Sequence, residues 1–204
     1  MKYVSPLVAF FVVILGYVCS SGAAADQAQT IKDLQAAYNG ESNAQMKYRA
    51  FAEKADQEGY RQAASLFRAA ARAEAIHAAN HAQVLKTLGV QAQADLQTPQ
   101  VGTTAANLKA AIEGESYERD TMYPQFIGHA RQARLAQAVR TFNLARTAES
   151  EHAKLYQATL DSLEQGKSQA EQFYVCTVCG FTARTVGGKC PSCFSPRDKF
   201  IVVE

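Results

Sequence analysis

The sequence predicts an all-α four-helix bundle followed by a small C-terminal β module that binds a metal. Alanine-rich segments with apolar residues at helical spacing fill most of the chain, and glycine or proline separates them. Two Cys-x-x-Cys pairs follow the last of these segments. A length of 204 residues accommodates one mid-sized domain and one small module.

Glycines mark the expected ends of the first two helices. We predict helices at residues 30–58 and 61–88, because Gly59 and Gly89 follow them at the position where a left-handed residue commonly ends a helix. Residues 90–103 would then form the long connection that crosses such a bundle from one helical hairpin to the next.

The second half of the chain repeats the first. We predict a third helix at residues 104–129, bent by Pro124, and a fourth at residues 131–165, ended by Gly166. Each half contains Gly-Glu-Ser in its first helix and Ala-Glu-x-x-His-Ala in its second. This repetition indicates one helical hairpin used twice.

Acidic motifs recur at matched positions along these helices. They are Glu41, Glu74-x-x-His77, Glu115-x-x-Glu118 and Glu149-x-x-His152. Residues three apart share a helix face, so each pair can direct both side chains to one point between helices. Carboxylates can bridge two cations and a neutral imidazole suits iron. A single Glu-x-x-His pair is usually solvated surface, but these four motifs in register together predict a two-metal site.

Four cysteines form a second candidate metal site. Cys176 and Cys179 make one pair, and Cys190 and Cys193 make the other. Two such pairs converge four thiolates on one tetrahedral metal, and the spacing suits iron and zinc alike. Aromatic residues flank the pairs, which favours iron. A structural zinc ribbon and two disulfides are the alternatives.

Together these motifs resemble the rubrerythrin family over nearly all of the chain after residue 26. The segments that carry the resemblance are Gly114-Glu-Ser-Tyr-Glu118 with Met122-Tyr123-Pro124, Arg72-Ala-Glu-Ala-Ile-His77 and the cysteine pairs, which are similar to those of rubredoxin. The resemblance implies a ferritin-like di-iron bundle and a rubredoxin-like domain. It also implies a peroxidase that reduces hydrogen peroxide to water and protects against oxidative stress.

The resemblance assigns roles to the metal ligands. Glu74 and Glu149 would bridge the two irons, and one iron would exchange Glu118 for His77 on reduction. The terminal ligands would be Glu41, His77, Glu115, Glu118 and His152, and the ligands of a third iron would be Cys176, Cys179, Cys190 and Cys193.

Two tyrosines also have implied roles. Tyr48 and Tyr123 match the family's tyrosines that hydrogen-bond the ligand carboxylates, a role compatible with a buried tyrosine whose hydroxyl is satisfied. One departure lies in the cysteine module, where Phe194 follows Cys193 at a position that usually carries glycine.

The resemblance further implies partners. Besides hydrogen peroxide, they are an electron-donor protein or reductase and a second copy of the chain, in a head-to-tail homodimer. The main alternative is a ferritin-like iron-oxidising or iron-binding protein without a peroxidase role. The four-cysteine module disfavours it, because iron storage has no evident use for a one-electron relay. A structural or sensory protein with zinc in both sites is a third hypothesis.

The first 25 residues predict a secretory signal. Lys2 precedes an apolar run, and Ala23 to Ala25 offer a small-residue cleavage site. We therefore expect a signal peptide at 1–25, the bundle at 26–166, the four-cysteine domain at 171–204 and a periplasmic protein without stable membrane insertion. An uncleaved anchor is the alternative, but the apolar run is short for one. An oxidising compartment would also favour the disulfide alternative.

Charge excludes one class of partner. The net charge of +2 becomes +1 when residues 1–25, which hold one lysine and no acid, are removed. A balance so near zero gives no electrostatic case for binding nucleic acid.

Two histidines have no assigned role. His81 follows His77 by one helical turn, so it could support the metal site, although core or surface placement is the commoner outcome. The sequence indicates no role for His129 either.

Overall fold

Four helical segments pack around a polar centre and carry a small sheet at one side. The computed structural model describes residues 20–204. Its helices are α1 (Ser20–Gln57), α2 (Arg61–Thr87), α3 (Thr104–Tyr117), α4 (Tyr123–Gln132) and α5 (Ala136–Asp161). The predicted all-α bundle with a C-terminal β module is confirmed.

The first hairpin ends where the glycines predict. Gly59 has a φ of 81° and Gly89 has a φ of 75°, both in the left-handed region that glycine adopts without steric cost. The α1–α2 turn is therefore tight, and the amide of Tyr60 donates to the carbonyl of Ala55 at 2.8 Å.

The third helical segment breaks earlier than predicted. A π-helical turn, Glu118–Met122, separates α3 from α4, and Pro124 lies in the first turn of α4. Proline has no N–H and its ring clashes with the carbonyl four residues before it, so a wider turn relieves that contact. The irregularity therefore precedes Pro124 and includes Glu118, whereas we expected only a bend at Pro124.

The fourth helix is shorter than predicted at both ends. It begins at Ala136 because Arg134, with a φ of 55°, turns the chain in the left-handed region between α4 and α5. No glycine marks this turn, so no local pattern in the sequence indicates it. The helix ends at Asp161, five residues before Gly166.

The long connection lies along α1 in an extended conformation. Gln35, Asn39 and Asn43 are spaced four residues apart on α1, and their side-chain amides bond the backbone of Gln93, Asp95 and Gln97. Four helical residues advance about 6 Å, close to the advance of two extended residues. The matching spacing allows an unpaired segment to satisfy backbone groups that would otherwise need a sheet partner.

Two apolar clusters enclose the polar centre. One contains Tyr48, Phe51, Phe67 and Tyr156, and the other contains Phe142. Many remaining core positions are alanine, which allows close approach of the helices. The polar side chains between the clusters are therefore shielded from solvent.

The C-terminal module is a three-stranded antiparallel sheet. Its strands are β1 (Phe173–Cys176), β2 (Thr182–Ala183) and β3 (Phe200–Val203), in the order β2-β1-β3. The preceding link is attached to the bundle, since Gln62 donates to Glu171 at 2.8 Å and the Ser168 amide donates to the Gly59 carbonyl at 2.9 Å. The sheet thus lies against α2 and α5 of the same chain.

The predicted cleavage site lies at the start of α1. Residues 22–25 are exposed there, and the rest of the predicted signal falls outside the described residues. Within residues 20–204, every helix is too short or too polar to span a membrane.

Candidate metal centres

The helices bring six of the predicted ligands together in the bundle core as two overlapping groups. One contains Glu41, Glu74, His77 and Glu149, and the other contains Glu74, Glu115, Glu149 and His152. Within each group the ligand atoms lie within 4.8 Å of one another. Glu74 and Glu149 belong to both groups, which is the position that bridging carboxylates occupy between two metal ions. Glu118, the remaining predicted ligand on the helices, belongs to neither group and is described below.

Both histidines direct Nδ1 toward the shared carboxylates. His77 Nδ1 lies 2.8 Å from Glu74 Oε2 and 3.0 Å from Glu149 Oε1. His152 Nδ1 lies 2.9 Å from Glu149 Oε2 and 3.4 Å from Glu115 Oε2. The near two-fold arrangement follows from the repeated hairpin, in which each Glu-x-x-His occupies one helix face.

The buried oxygens fit bound cations. Glu41, Glu74, Glu115 and Glu149 are at most 1% exposed, and each has a side-chain oxygen without a hydrogen-bond partner. Buried carboxylates without partners are costly unless metal or another charge compensates them. The donor set of carboxylates and imidazoles suits iron, and the residues present therefore fit a di-iron site.

Without metal, the pKa values of these side chains also reflect the cost of burying several carboxylates together. Burial, followed by the charges of Glu74 and Glu149, raises the pKa of Glu115 to about 8. Burial likewise raises the pKa of Glu41 well above its usual range. Burial alone would lower the pKa of His77. The carboxylates of Glu149 and Glu74 outweigh burial and raise that pKa well above its usual value. Protons thus hold the charge balance that cations would hold in the loaded protein.

Tyrosines from the two hairpins support the carboxylates. The Tyr48 hydroxyl donates to Glu115 Oε1 at 2.5 Å, and the Tyr123 hydroxyl donates to Glu41 Oε1. Each tyrosine therefore bonds a glutamate of the opposite half of the chain. Both side chains are buried, as their resemblance to the family's tyrosines implied.

Glu118 lies beside the two groups and outside them. It is half-buried in the π-helical turn and lines a pocket of about 170 Å³ with Lys47 and Pro99. Burial, then the charges of Glu115 and Glu149, raises the pKa of Glu118. The carboxylate of Glu118 is thus close enough to interact electrostatically with Glu115 and Glu149, whereas His77 lies within one of the two ligand groups.

The four-cysteine module touches the helical site directly. His77 Nε2 lies 3.0 Å from the Cys179 carbonyl oxygen, and His152 Nε2 lies 3.0 Å from Thr182 Oγ1. Asn80 donates to the Val178 carbonyl at 3.0 Å. A cysteine ligand of one centre is therefore joined to a histidine ligand of the other by a single hydrogen bond.

The cysteines have the geometry of a tetrahedral thiolate site. Cys176 Sγ lies 3.7 Å from Cys193 Sγ, and Cys179 Sγ lies 3.6 Å from Cys190 Sγ. Metal–sulfur bonds of about 2.3 Å predict sulfur–sulfur edges of about 3.8 Å, whereas a disulfide would bring the sulfurs to about 2.05 Å. The described cysteines are thiols, and their spacing fits one metal.

Phe194 adopts a conformation that glycine would adopt more easily. Its φ is 61° and its side chain is 73% exposed, next to the partly exposed Cys193. The amide of Phe194 donates to the Cys190 carbonyl at 3.0 Å. The turn after Cys193 is thus formed even though phenylalanine stands where glycine is usual.

The two unassigned histidines have different environments. His81 is buried beside the site and bonds Tyr123 and Thr141. His129 lies at the far end of the bundle, with Nδ1 2.7 Å from Asp33 Oδ2. His81 therefore adjoins the metal site, and His129 ties α4 to α1.

Two polar groups at the site have no signal in the sequence pattern. Thr182 and the Cys179 carbonyl reach the histidines only because of where the module docks, and no periodic pattern records that. Tyr156 is different, since it follows His152 by four residues and its buried position was available from helical spacing.

Fold and sites together define a carboxylate-bridged di-iron protein that carries its own four-thiolate iron module. A rubrerythrin family model matches residues 32–160. Rubrerythrin-2 of Clostridium acetobutylicum is 39% identical over 183 residues, covering 85% of this chain and 96% of its own. Nigerythrin of Nitratidesulfovibrio vulgaris is 36% identical over 173 residues, covering 84% and 85%.

A solved structure extends the match to three dimensions. Fully reduced, all-ferrous nigerythrin superposes with a TM-score of 0.79 at 36% identity, covering 85% of this chain and 86% of that one. The chain belongs to the rubrerythrin family, and its di-iron and rubredoxin-like iron sites are confirmed.

Proposed function

We propose that this protein is a non-haem di-iron peroxidase that reduces hydrogen peroxide to water and protects against oxidative stress. The hydrogen bond between the Cys179 carbonyl and His77 carries the proposal, because it places a one-electron carrier in direct contact with the helical site. Membership in a family of oxidoreductases agrees with it.

The side chains would confine the chemistry. Two ferrous ions held by the helical ligands would supply the two electrons that convert one hydrogen peroxide and two protons into two waters, and the thiolate iron would relay their replacement. Tyr48 and Tyr123 fix the carboxylates of Glu115 and Glu41. The apolar clusters around them exclude bulk water. Five glutamates nearly balance the charge of such a pair of ions.

Glu118 and His77 are the residues we assign to the change of ligand. In the structure His77 faces the shared carboxylates, while Glu118 lines the neighbouring pocket. An anionic oxygen suits the ferric state and a neutral imidazole suits the ferrous state. We propose that Glu118 replaces His77 on oxidation.

Rapid mixing tests the proposal. Iron-loaded, anaerobically reduced protein should reoxidise faster with peroxide than with oxygen. Cys193→Ser should allow one reaction with peroxide but abolish steady turnover with a reductant protein. Glu118→Ala should slow peroxide reoxidation at unchanged iron content, and Glu113→Ala, at an exposed position of α3, is its control. Faster reoxidation by oxygen would favour the iron-oxidising alternative, and zinc in both sites would exclude both redox functions.

A head-to-tail homodimer remains part of the proposal. In the structure the module contacts the bundle of its own chain, so two copies would make the same contact by exchanging modules across the 162–172 link. Electron transfer from thiolate iron to the helical site should slow on dilution if the module serves a neighbour. A rate independent of protein concentration would assign the relay to one chain.

We also propose that the protein is exported to the periplasm and receives electrons there from a donor protein. Cleavage after Ala25 would leave the first buried position of α1, Thr30, in the mature protein, and residues 22–25, which precede the cut, are exposed. The N-terminal sequence of the protein isolated from its host should then begin at Asp26. An intact Met1 in that protein would contradict export by this signal.

A further inference from the structure

His81 forms a buried link between Tyr123, which bonds the ligand carboxylate of Glu41, and the hydroxyl of Thr141. It is fully buried, with Nε2 3.1 Å from the Tyr123 hydroxyl and Nδ1 3.1 Å from Thr141 Oγ1. Tyr123 in turn bonds Glu41. Four side chains from α1, α2, α4 and α5 therefore form one continuous series of hydrogen bonds.

The donors and acceptors fix a direction along this series. The Tyr123 hydroxyl donates its only proton to Glu41, so its oxygen must accept from His81 Nε2–H. A neutral imidazole has one N–H, which leaves Nδ1 to accept from the Thr141 hydroxyl. Every proton in the series points toward Glu41.

The outer end of the series meets solvent. Thr141 is 6% exposed and lines an open surface pocket of about 380 Å³ together with Asn80, Gln137 and Arg140. The polar lining can hold water against the Thr141 hydroxyl, which accepts a hydrogen bond as readily as it donates one. The inner end lies on Glu41, one of the ligand carboxylates.

We propose that Thr141, His81 and Tyr123 form a proton path from this pocket to the di-iron site. The proposal rests on the proposed peroxidase function, in which each peroxide consumes two protons and two electrons and yields two waters. His81 and Thr141 then carry protons to the buried site, a role that the metal ligands of the Glu-x-x-His motifs do not fill.

One inward shift moves a single proton equivalent. A water in the pocket gives a proton to Thr141 and takes a replacement proton from the solvent, so no hydroxide remains. Thr141 gives its proton to His81 Nδ1, His81 Nε2 gives its proton to Tyr123, and Tyr123 gives its proton to Glu41 or to an oxygen bound beside it. Each of the three relay groups ends with the number of protons it began with, so none ionises. One shift thus delivers one of the two protons that each peroxide consumes.

Matched substitutions at Thr141 test the path. Thr141→Val keeps the shape of the side chain and removes the hydroxyl, and it should slow peroxide reoxidation of the reduced protein about tenfold or more. Thr141→Ser should restore the rate. Thr147→Val, at an exposed position of the same helix, is the control for threonine loss on α5. Equal rates for Thr141→Val and the native protein would overturn the path.

A second measurement does not depend on activity. In zinc-loaded, diamagnetic protein, nitrogen NMR of the 4 histidines should show His81 with a proton on Nε2 and an accepting Nδ1, assigned by its loss in His81→Phe. Thr141→Val should shift the Nδ1 resonance toward that of an unbonded nitrogen. A proton on Nδ1 in the native protein would reverse the series and overturn the proposal.

The two measurements separate the proposal from the function it rests on. If the native protein does not react with peroxide, the peroxidase function fails, and the NMR result still decides whether the inward-directed series exists. If the native protein reacts and only the rate ratio is absent, the function stands and the path fails.

Discussion

A single glycine governs how closely the two metal centres approach. Gly180 has a φ of 76°, and a Cβ there would overlap Nε2 of His77. Gly180→Ala should therefore destabilise the docked module by at least about 1 to 2 kcal/mol, the cost of a left-handed L-residue, and displace His77. Thermal unfolding would show the loss, together with a slower transfer of electrons between the centres.

Gly187→Ala is the matched control in the same module. Gly187 has no atom within 4 Å of an added Cβ and is not in the left-handed region, so its change in stability should stay within about 0.5 kcal/mol. Equal stability of the two variants would mean that the module does not dock on His77 in solution.

At the residue scale, spacing predicted the ligands but not their surroundings. Glu74 and His77 share a helix face whatever the tertiary structure, so the i,i+3 pattern was sufficient. The contacts of His77 with Cys179 and of His152 with Thr182 depend on the docking of a separate module. Local sequence carries no record of that long-range contact.

The π-helical turn is the element that sets the orientation of the second hairpin. It holds one residue more per turn than an α-helix, so Tyr123 and Ile127 face the core only because the turn is present. Deletion of the exposed Thr121 should rotate the following helix by about 100° and remove both side chains from the core. We expect a loss of about 3 kcal/mol or more in the free energy of unfolding, measured with denaturant.

Substitution without deletion isolates the effect of length. Thr121→Ala keeps the π-helical turn and should change stability by less than about 0.5 kcal/mol. If the deletion and the substitution behave alike, the extra residue has no structural role.

Element boundaries were predictable only where chemistry marks them. Gly59 and Gly89 end α1 and α2 because glycine populates the left-handed region freely. Arg134 performs the same turn between α4 and α5 with a residue that rarely does so, and the packing of both helices imposes it. Such tertiary constraints are invisible to propensity.

For the whole molecule, metal replaces protons in holding the core together. The pKa of Glu115 rises from 4.5 to about 8 on folding without metal, and that of Glu41 rises as well. A raised carboxyl pKa means that the folded state binds more protons, so stability is lost as pH rises from about 4.5 to about 8. The raised pKa of His77 acts in the same direction, and the lowered pKa of Glu149 acts only below its usual range. The lowered pKa of His81 opposes the trend below pH 6.5, but the raised pKa values of several buried groups outweigh that single histidine.

Metal-free protein should therefore melt at a lower temperature at pH 8 than at pH 5. Iron-loaded protein should lack this decline, because cations hold the carboxylates in their ionised form. Parallel melting curves of chelated and loaded protein would measure the difference. A chelated protein that is more stable at pH 8 would contradict the assigned burial of these carboxylates.

The long connection has a consequence for exchange of its amide hydrogens. The amides of Gln93, Asp95 and Gln97 donate to side chains of α1, whereas Leu96 between them is exposed. Every second amide should thus be protected from deuterium, the alternating pattern of a strand at a sheet edge, although the partner here is a helix. Asn39→Leu should release the Asp95 amide specifically. The segment would then behave as a strand whose neighbour is made of side chains, and its order would depend on the face of a helix that the metal site does not use.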